Sequence, residues 1–251
     1  MTDEGARYSA LWQRIMNPPC ERCVKGASGV TAEILAKERY FWPLHGPGIS
    51  TPGKRVKYIL VAMEPSTRWA GARSPAEARA ASGSKVFNFN TQRGDFALRY
   101  AANTWLCPPE SNSSYVLTDF ARCSISNDKK AADRTRLYRY ATCQPYLEEE
   151  IALFDRPTLI GIGQTVAKRL ATTFGNTYRV ESIVHYSTQA LWKVRRELDS
   201  VFSRETWQAS IESVEADFAA WMSAQVGLTV SDATRRLLAA YRLRFLEIAG
   251  R

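Results

Sequence analysis

Four short runs along the chain are apolar and β-branched and are bounded by turn-forming residues: Tyr58 to Met63, Tyr115 to Phe120, Thr158 to Ile162 and Val180 to His185. Such runs read as short buried strands. Helical patterns lie between them, at Phe96 to Trp105, Arg136 to Phe154 and Thr165 to Phe174, the last with Thr165 as its expected cap after Gly163. Strands alternating with helices predict a three-layer α/β/α fold around a central four-stranded, mostly parallel sheet. Beyond Asp199 the pattern is purely helical. Val201, Trp207, Ile211, Val214, Phe218 and Trp221 mark one amphipathic helix, and Leu237, Leu238, Tyr241, Phe245 and Ile248 mark a second. Residues 1–198 are therefore expected to form the main domain, with 199–251 a helical extension packed on it. Arg235, Arg236, Arg242 and Arg244 read as a solvated face, DNA contact being the alternative. Thr67 to Lys85, rich in Ala, Gly, Ser and Arg without an apolar face, reads as a mobile basic loop.

Charge adds a partner to this picture. The 251 residues carry 34 Lys and Arg against 25 Asp and Glu, a net charge of +9, which favours a polyanion such as DNA over an indifferent basic surface. No apolar run approaches the ~20 residues of a membrane span. The opening MTDEGARYSALWQR lacks the apolar core of a signal peptide, so a cytoplasmic monomer without membrane contact is expected. In that compartment thiols stay reduced, and the five cysteines read as ligands or buried residues rather than disulfides. Cys20 and Cys23 form a CxxC in NPPCERC, Cys123 directly follows a predicted strand, and Cys143 is expected at the start of a helix. Four thiolates suit zinc or an iron-sulfur cluster equally. Cys107, in WLCPPE, reads as a buried thiol.

The stretches TDFARC (Thr118 to Cys123) and CQPYLEEEIALFDRPTLIGIGQTVAKRL (Cys143 to Leu170) resemble the iron-sulfur, family 4 branch of the uracil-DNA glycosylase superfamily. That branch carries a TNVVKC-like stretch, then a C-x-PYL helix, then a strand ending in a glycine turn. In the same order this chain also has the N-terminal CxxC, AMEPS (Ala62 to Ser66) for a GEAPG-type motif, and HYS (His185 to Ser187) for an HPS-type motif, with Tyr186 in place of the proline. The resemblance spans residues 15 to 195. It implies a [4Fe-4S] cluster on Cys20, Cys23, Cys123 and Cys143, base excision from DNA, and no nucleotide cofactor. GIGQT (Gly161 to Thr165) is not a complete phosphate-loop motif.

Glu64, Asp119 and His185 each fall at the carboxyl end of a predicted strand, where open parallel sheets place their ligand crevices. Cleaving an N-glycosidic bond develops positive charge on the sugar and negative charge on the base, which calls for an anion and a donor. The resemblance implies Glu64 for water activation and oxocarbenium stabilisation, and His185 for a hydrogen bond to the base O2. It also implies Phe89 or Phe87 as the ring against which an extruded base stacks. Ser187, Leu191, Trp192, Lys193, Arg195 and Arg196 would form a DNA-probing loop, an apolar wedge beside phosphate contacts. Asp119 stands where the family has the Asn that reads uracil. A carboxylate only accepts, which suits the exocyclic amine of cytosine. Ser66 stands where the uracil enzymes carry a bulky Tyr that excludes C5 substituents. The expected substrate is thus a 5-modified cytosine, such as the hydroxymethylated or glucosylated cytosine of phage DNA, with antiviral defence as the role. Uracil excision in DNA repair and a non-catalytic iron-sulfur DNA-binding protein are the alternatives.

Overall fold

The computed structural model describes residues 3–16, 21–40, 49–64, 94–125, 129–185, 204–225 and 232–251. In chain order these form α1 (Asp3–Met16), α2 (Arg22–Gly26), α3 (Gly29–Glu38), β1 (Arg39–Tyr40), β2 (Arg55–Ala62), α4 (Gly94–Ala101), a π-helical turn (Ala102–Leu106), β3 (Ser113–Asp119), β4 (Ser124–Ile125), α5 (Lys129–Ala152), β5 (Thr158–Ile162), α6 (Gln164–Phe174), β6 (Val180–Ile183), α7 (Arg204–Gln225) and α8 (Asp232–Ala249). The central sheet has strand order β3-β2-β5-β6, every pair parallel. β1 and β4 make a separate antiparallel ribbon. The chain therefore has the expected α/β fold with C-terminal helices. No helix among the described residues is long and apolar enough to cross a membrane.

Parallel strands bury both faces. Tyr58, Leu60, Ala62, Tyr115, Leu117, Ile160, Ile162 and Ile183 pack against α4, the π turn, α7 and α8. Val56, Ile59, Val61, Val116 and Leu159 face the opposite layer, where α1, α5 and α6 lie. A bulge between Val56 and Tyr58 turns Lys57 out to solvent and puts Val56 on the same face as Ile59, which is why β2 starts three residues before its apolar run. α1 was not expected from the sequence, yet Tyr8, Leu11, Trp12 and Ile15 recur on one buried helical stripe.

Two local expectations are corrected. The helix from Phe96 does not continue as an α-helix to Trp105; the Cys107 N–H reaches back to the Ala102 carbonyl (2.8 Å), a wider turn, ahead of Pro108, which disfavours α geometry before it. The cap of α6 is Gly163, at φ 91°, rather than Thr165. At Gly161 an added Cβ would lie 2.5 Å from the Ala167 backbone, so α6 can cross β5 this closely only over a glycine.

Candidate active site

The carboxyl ends of all four sheet strands open on one rim. β2 and β3 pair up to Ala62 and Asp119, and their ladder continues as the Phe120 N–H donates to the Ala62 carbonyl (2.8 Å) and the Ala121 N–H to that of Met63 (3.1 Å). Glu64 thus leaves β2 beside the turn that follows Asp119. Two strands further along, β5 and β6 pair up to Ile162 and Ile183, and the Gly163 N–H donates to the Ile183 carbonyl (2.8 Å). His185 follows two residues later. A Cβ on Gly163 would lie 3.4 Å from His185 Cβ and 3.7 Å from its Cδ2, so the glycine leaves the floor on which the imidazole rests. Two strand spacings put the Glu64 and His185 positions about 10 Å apart, a span that admits a nucleotide.

Burial sets the chemistry of the rim. Asp119 is 1% exposed. Desolvation pushes its carboxyl up to about 8, with Glu64 and Glu150 adding to the rise while Arg122 and Arg99 oppose it. At neutral pH the group is mostly protonated and offers one donor and one acceptor. A protonated Asp119 differs from the carboxylate that only accepts, and its hydrogen-bonding capacity then matches that of the Asn it replaces. Burial lowers His185 from its usual value, so its imidazole is neutral at pH 7 and carries one N–H donor.

Glu64 keeps 18% of its side chain exposed and sets Oε2 against Nη1 of Arg139, a guanidinium with no exposure at all. The contact is an ion pair without hydrogen-bond geometry. Arg139 is fixed in turn by the Cys123 carbonyl (Nη1, 2.8 Å) and Thr135 Oγ1 (Nε, 3.2 Å). A second buried pair lies beneath Asp119. Arg122 Nη2 meets Glu150 Oε2 at 2.5 Å, Arg122 Nη1 donates to Thr118 Oγ1, and Trp12 Nε1 donates to Glu150 Oε1 (3.3 Å). Sequence reasoning missed Arg139, Arg122, Glu150 and Trp12. A signal was present, because Thr135, Arg139, Cys143, Leu147 and Ile151 recur every four residues and all are buried, so an arginine sits within an apolar helical stripe.

Three of the four expected cysteine ligands come together. Cys23 on α2, Cys123 after β3 and Cys143 on α5 are each 2% exposed, and Cys23 hydrogen-bonds to both of the others. Tyr138 Oη donates to the Cys23 carbonyl (3.2 Å) and the Arg122 N–H to Cys143 Sγ (3.4 Å). The contact with Cys123, joined by burial, raises the Cys23 thiol strongly and Cys143 to about 12. As they stand the thiols lie against one another, and no set of three or more His, Cys, Asp or Glu among the described residues is spaced to hold an ion. The donor set nevertheless fits a thiolate-bound group: three buried soft donors converge, and a backbone N–H is aimed at one sulfur. Cys107 is buried apart from them, its thiol raised to about 12 by desolvation.

Cys20, Ser66, Phe87, Phe89, Ser187, Leu191, Trp192, Lys193, Arg195 and Arg196 lie outside the described residues, as does the expected basic loop from Thr67 to Lys85. In comparisons with known proteins, no family model and no curated protein matches the chain.

Proposed function

We propose that the chain is a DNA glycosylase that takes one base out of the duplex and hydrolyses its N-glycosidic bond, leaving an abasic site, with a 5-modified cytosine as its favoured substrate. The observation that carries this reading is the convergence of Glu64, a neutral Asp119 and a neutral His185 on one sheet rim. Hydrolysis adds the hydroxyl of water to the sugar C1′ and a proton to the departing base. Glu64 holds the attacking water, accepts its proton and faces the sugar as positive charge develops. The His185 N–H meets the base O2 as negative charge gathers there. Asp119 as a neutral acid donates to cytosine N3 and accepts from the N4 amine. A donor at N3 stabilises the departing cytosine directly, whereas uracil already carries a proton on N3.

Cys20, Cys23, Cys123 and Cys143 would hold the [4Fe-4S] cluster, or a zinc ion. When bound, that group supplies a structural tie between α2, the turn after β3 and α5. Because cytosine itself is indispensable, a modified base such as the hydroxymethylated or glucosylated cytosine of phage genomes is the target consistent with host survival, and defence against phage is the role this supports.

The neutral carboxyl of Asp119 also favours a second reading, since the same donor and acceptor match uracil O4 and N3–H. Matched oligonucleotides containing uracil, cytosine, 5-hydroxymethylcytosine and glucosylated 5-hydroxymethylcytosine separate the two. Release of modified cytosine, abolished by Glu64→Gln and His185→Ala while DNA binding persists, is expected. Release of uracil alone would transfer the protein to uracil repair, and DNA binding without release of any base would make it a non-catalytic binder.

A further inference from the structure

The C-terminal helix α8 lies along the outer edge of β6, and its side chains take hydrogen-bonding positions that a further strand would fill. The pairing of β5 with β6 fixes which carbonyls of β6 are spare. Leu159 N–H donates to the Arg179 carbonyl (2.9 Å) and Gly163 N–H to the Ile183 carbonyl (2.8 Å), so odd-numbered carbonyls face β5 and even-numbered ones face outward. The outward carbonyl of Ser182 accepts from Arg244 Nε (3.0 Å), and that of Val184 accepts from Tyr241 Oη (3.1 Å). Donors three residues apart on one helix face thus meet carbonyls two residues apart on one strand edge. Arg244 Nη2 adds an ion pair to Glu181 Oε2 (2.5 Å) and Nη1 one to Glu247. Tyr241 is wholly buried against Phe245. Arg244, expected on a solvated face, is instead partly buried and braces the edge of β6.

The Val184 carbonyl belongs to the peptide unit whose nitrogen is that of His185. A peptide unit is planar, so holding its oxygen fixes the plane from which the His185 Cα and side chain depart. On its other side the imidazole rests over Gly163. We infer that Tyr241 and Arg244 are positioning residues that set His185 at the rim through the edge of β6, which makes the C-terminal helices part of the catalytic unit. The inference rests on the reading of His185 as the donor to the departing base.

The chain contains two histidines, so the imidazole Hε1–Cε1 region of an isotope-labelled sample carries two cross-peaks, which His45→Gln assigns. Tyr241→Phe removes one hydroxyl. It is expected to shift the His185 cross-peak and to lower kcat for base release about tenfold with KM unchanged. It should add no further loss in a His185→Ala background. Arg244→Gln, at a partly exposed side chain, should act in the same direction and less strongly, and it carries the test if Tyr241→Phe does not fold. An unmoved His185 cross-peak in these variants, or losses that multiply in the double variant, overturns the inference. A wild-type protein that releases no base from any of the oligonucleotides instead sinks the glycosylase reading, and the cross-peak then decides the positioning role alone.

Discussion

At Asp119 the folded protein holds a proton that the unfolded chain gives up near its ordinary carboxyl value of 3.8. With the folded value near 8, the native state binds more protons throughout the interval between about pH 4 and pH 8. The contribution of this group is fully present below that interval, falls as pH rises through it, and is flat above. Asp119→Asn keeps the shape and removes the titration. The variant is expected to match wild type in thermal stability near pH 4 and to exceed it by on the order of a few kcal/mol near pH 8, read from melts at both pH values. A wild type that gains stability toward pH 8 relative to the variant would contradict the neutral acid. Glu64, Asp119 and His185 were legible in the sequence because position at a strand end is a local property. Their protonation was not, since burial and the Arg122 and Glu150 neighbours depend on contacts between distant segments.

Among the elements, β5 is the one whose expected and observed bounds coincide, and it shows why. It is short, apolar and closed by Gly163, with no bulge to displace its ends. β2 starts earlier than its apolar run because the Lys57 bulge interrupts the pattern, and β6 stops at Ile183 because its ladder partner ends at Gly163. The crossing of α6 over β5 yields a sharp prediction. Gly161→Ala would press a methyl into the Ala167 backbone, where no flexible side chain can yield. It should cost about 1–3 kcal/mol in urea unfolding. If the glycosylase reading holds, base release should fall with it, because β5 leads directly into Gly163, the floor under His185. Unchanged stability would mean that helix and strand separate freely at this crossing.

For the whole molecule, the layered fold and the C-terminal helices could be read from periodicity alone, whereas what the last helix does could not. Its stripe of Leu237, Leu238, Tyr241, Phe245 and Ile248 packs into the same core as β2, β3, β5 and β6, far away in the chain. The net charge of +9 is likewise visible at once, but where it acts is not. If DNA is the partner, affinity should drop roughly tenfold or more as salt rises from about 50 to about 200 mM, measured by fluorescence anisotropy. Salt-independent binding would remove the electrostatic argument for DNA.

The two outer strands of the sheet share a further property. Beyond β3, the Ser50 N–H donates to the Tyr115 carbonyl (2.9 Å) and the Ser50 hydroxyl accepts from the Tyr115 N–H (3.0 Å), while beyond β6 the outward carbonyls of Ser182 and Val184 end on Arg244 and Tyr241. At those positions the outward carbonyls, and on β3 the Tyr115 N–H as well, already have partners within the chain. Growth of the sheet from one copy into the next, the first step toward fibres, is opposed there by the protein's own Ser50, Tyr241 and Arg244.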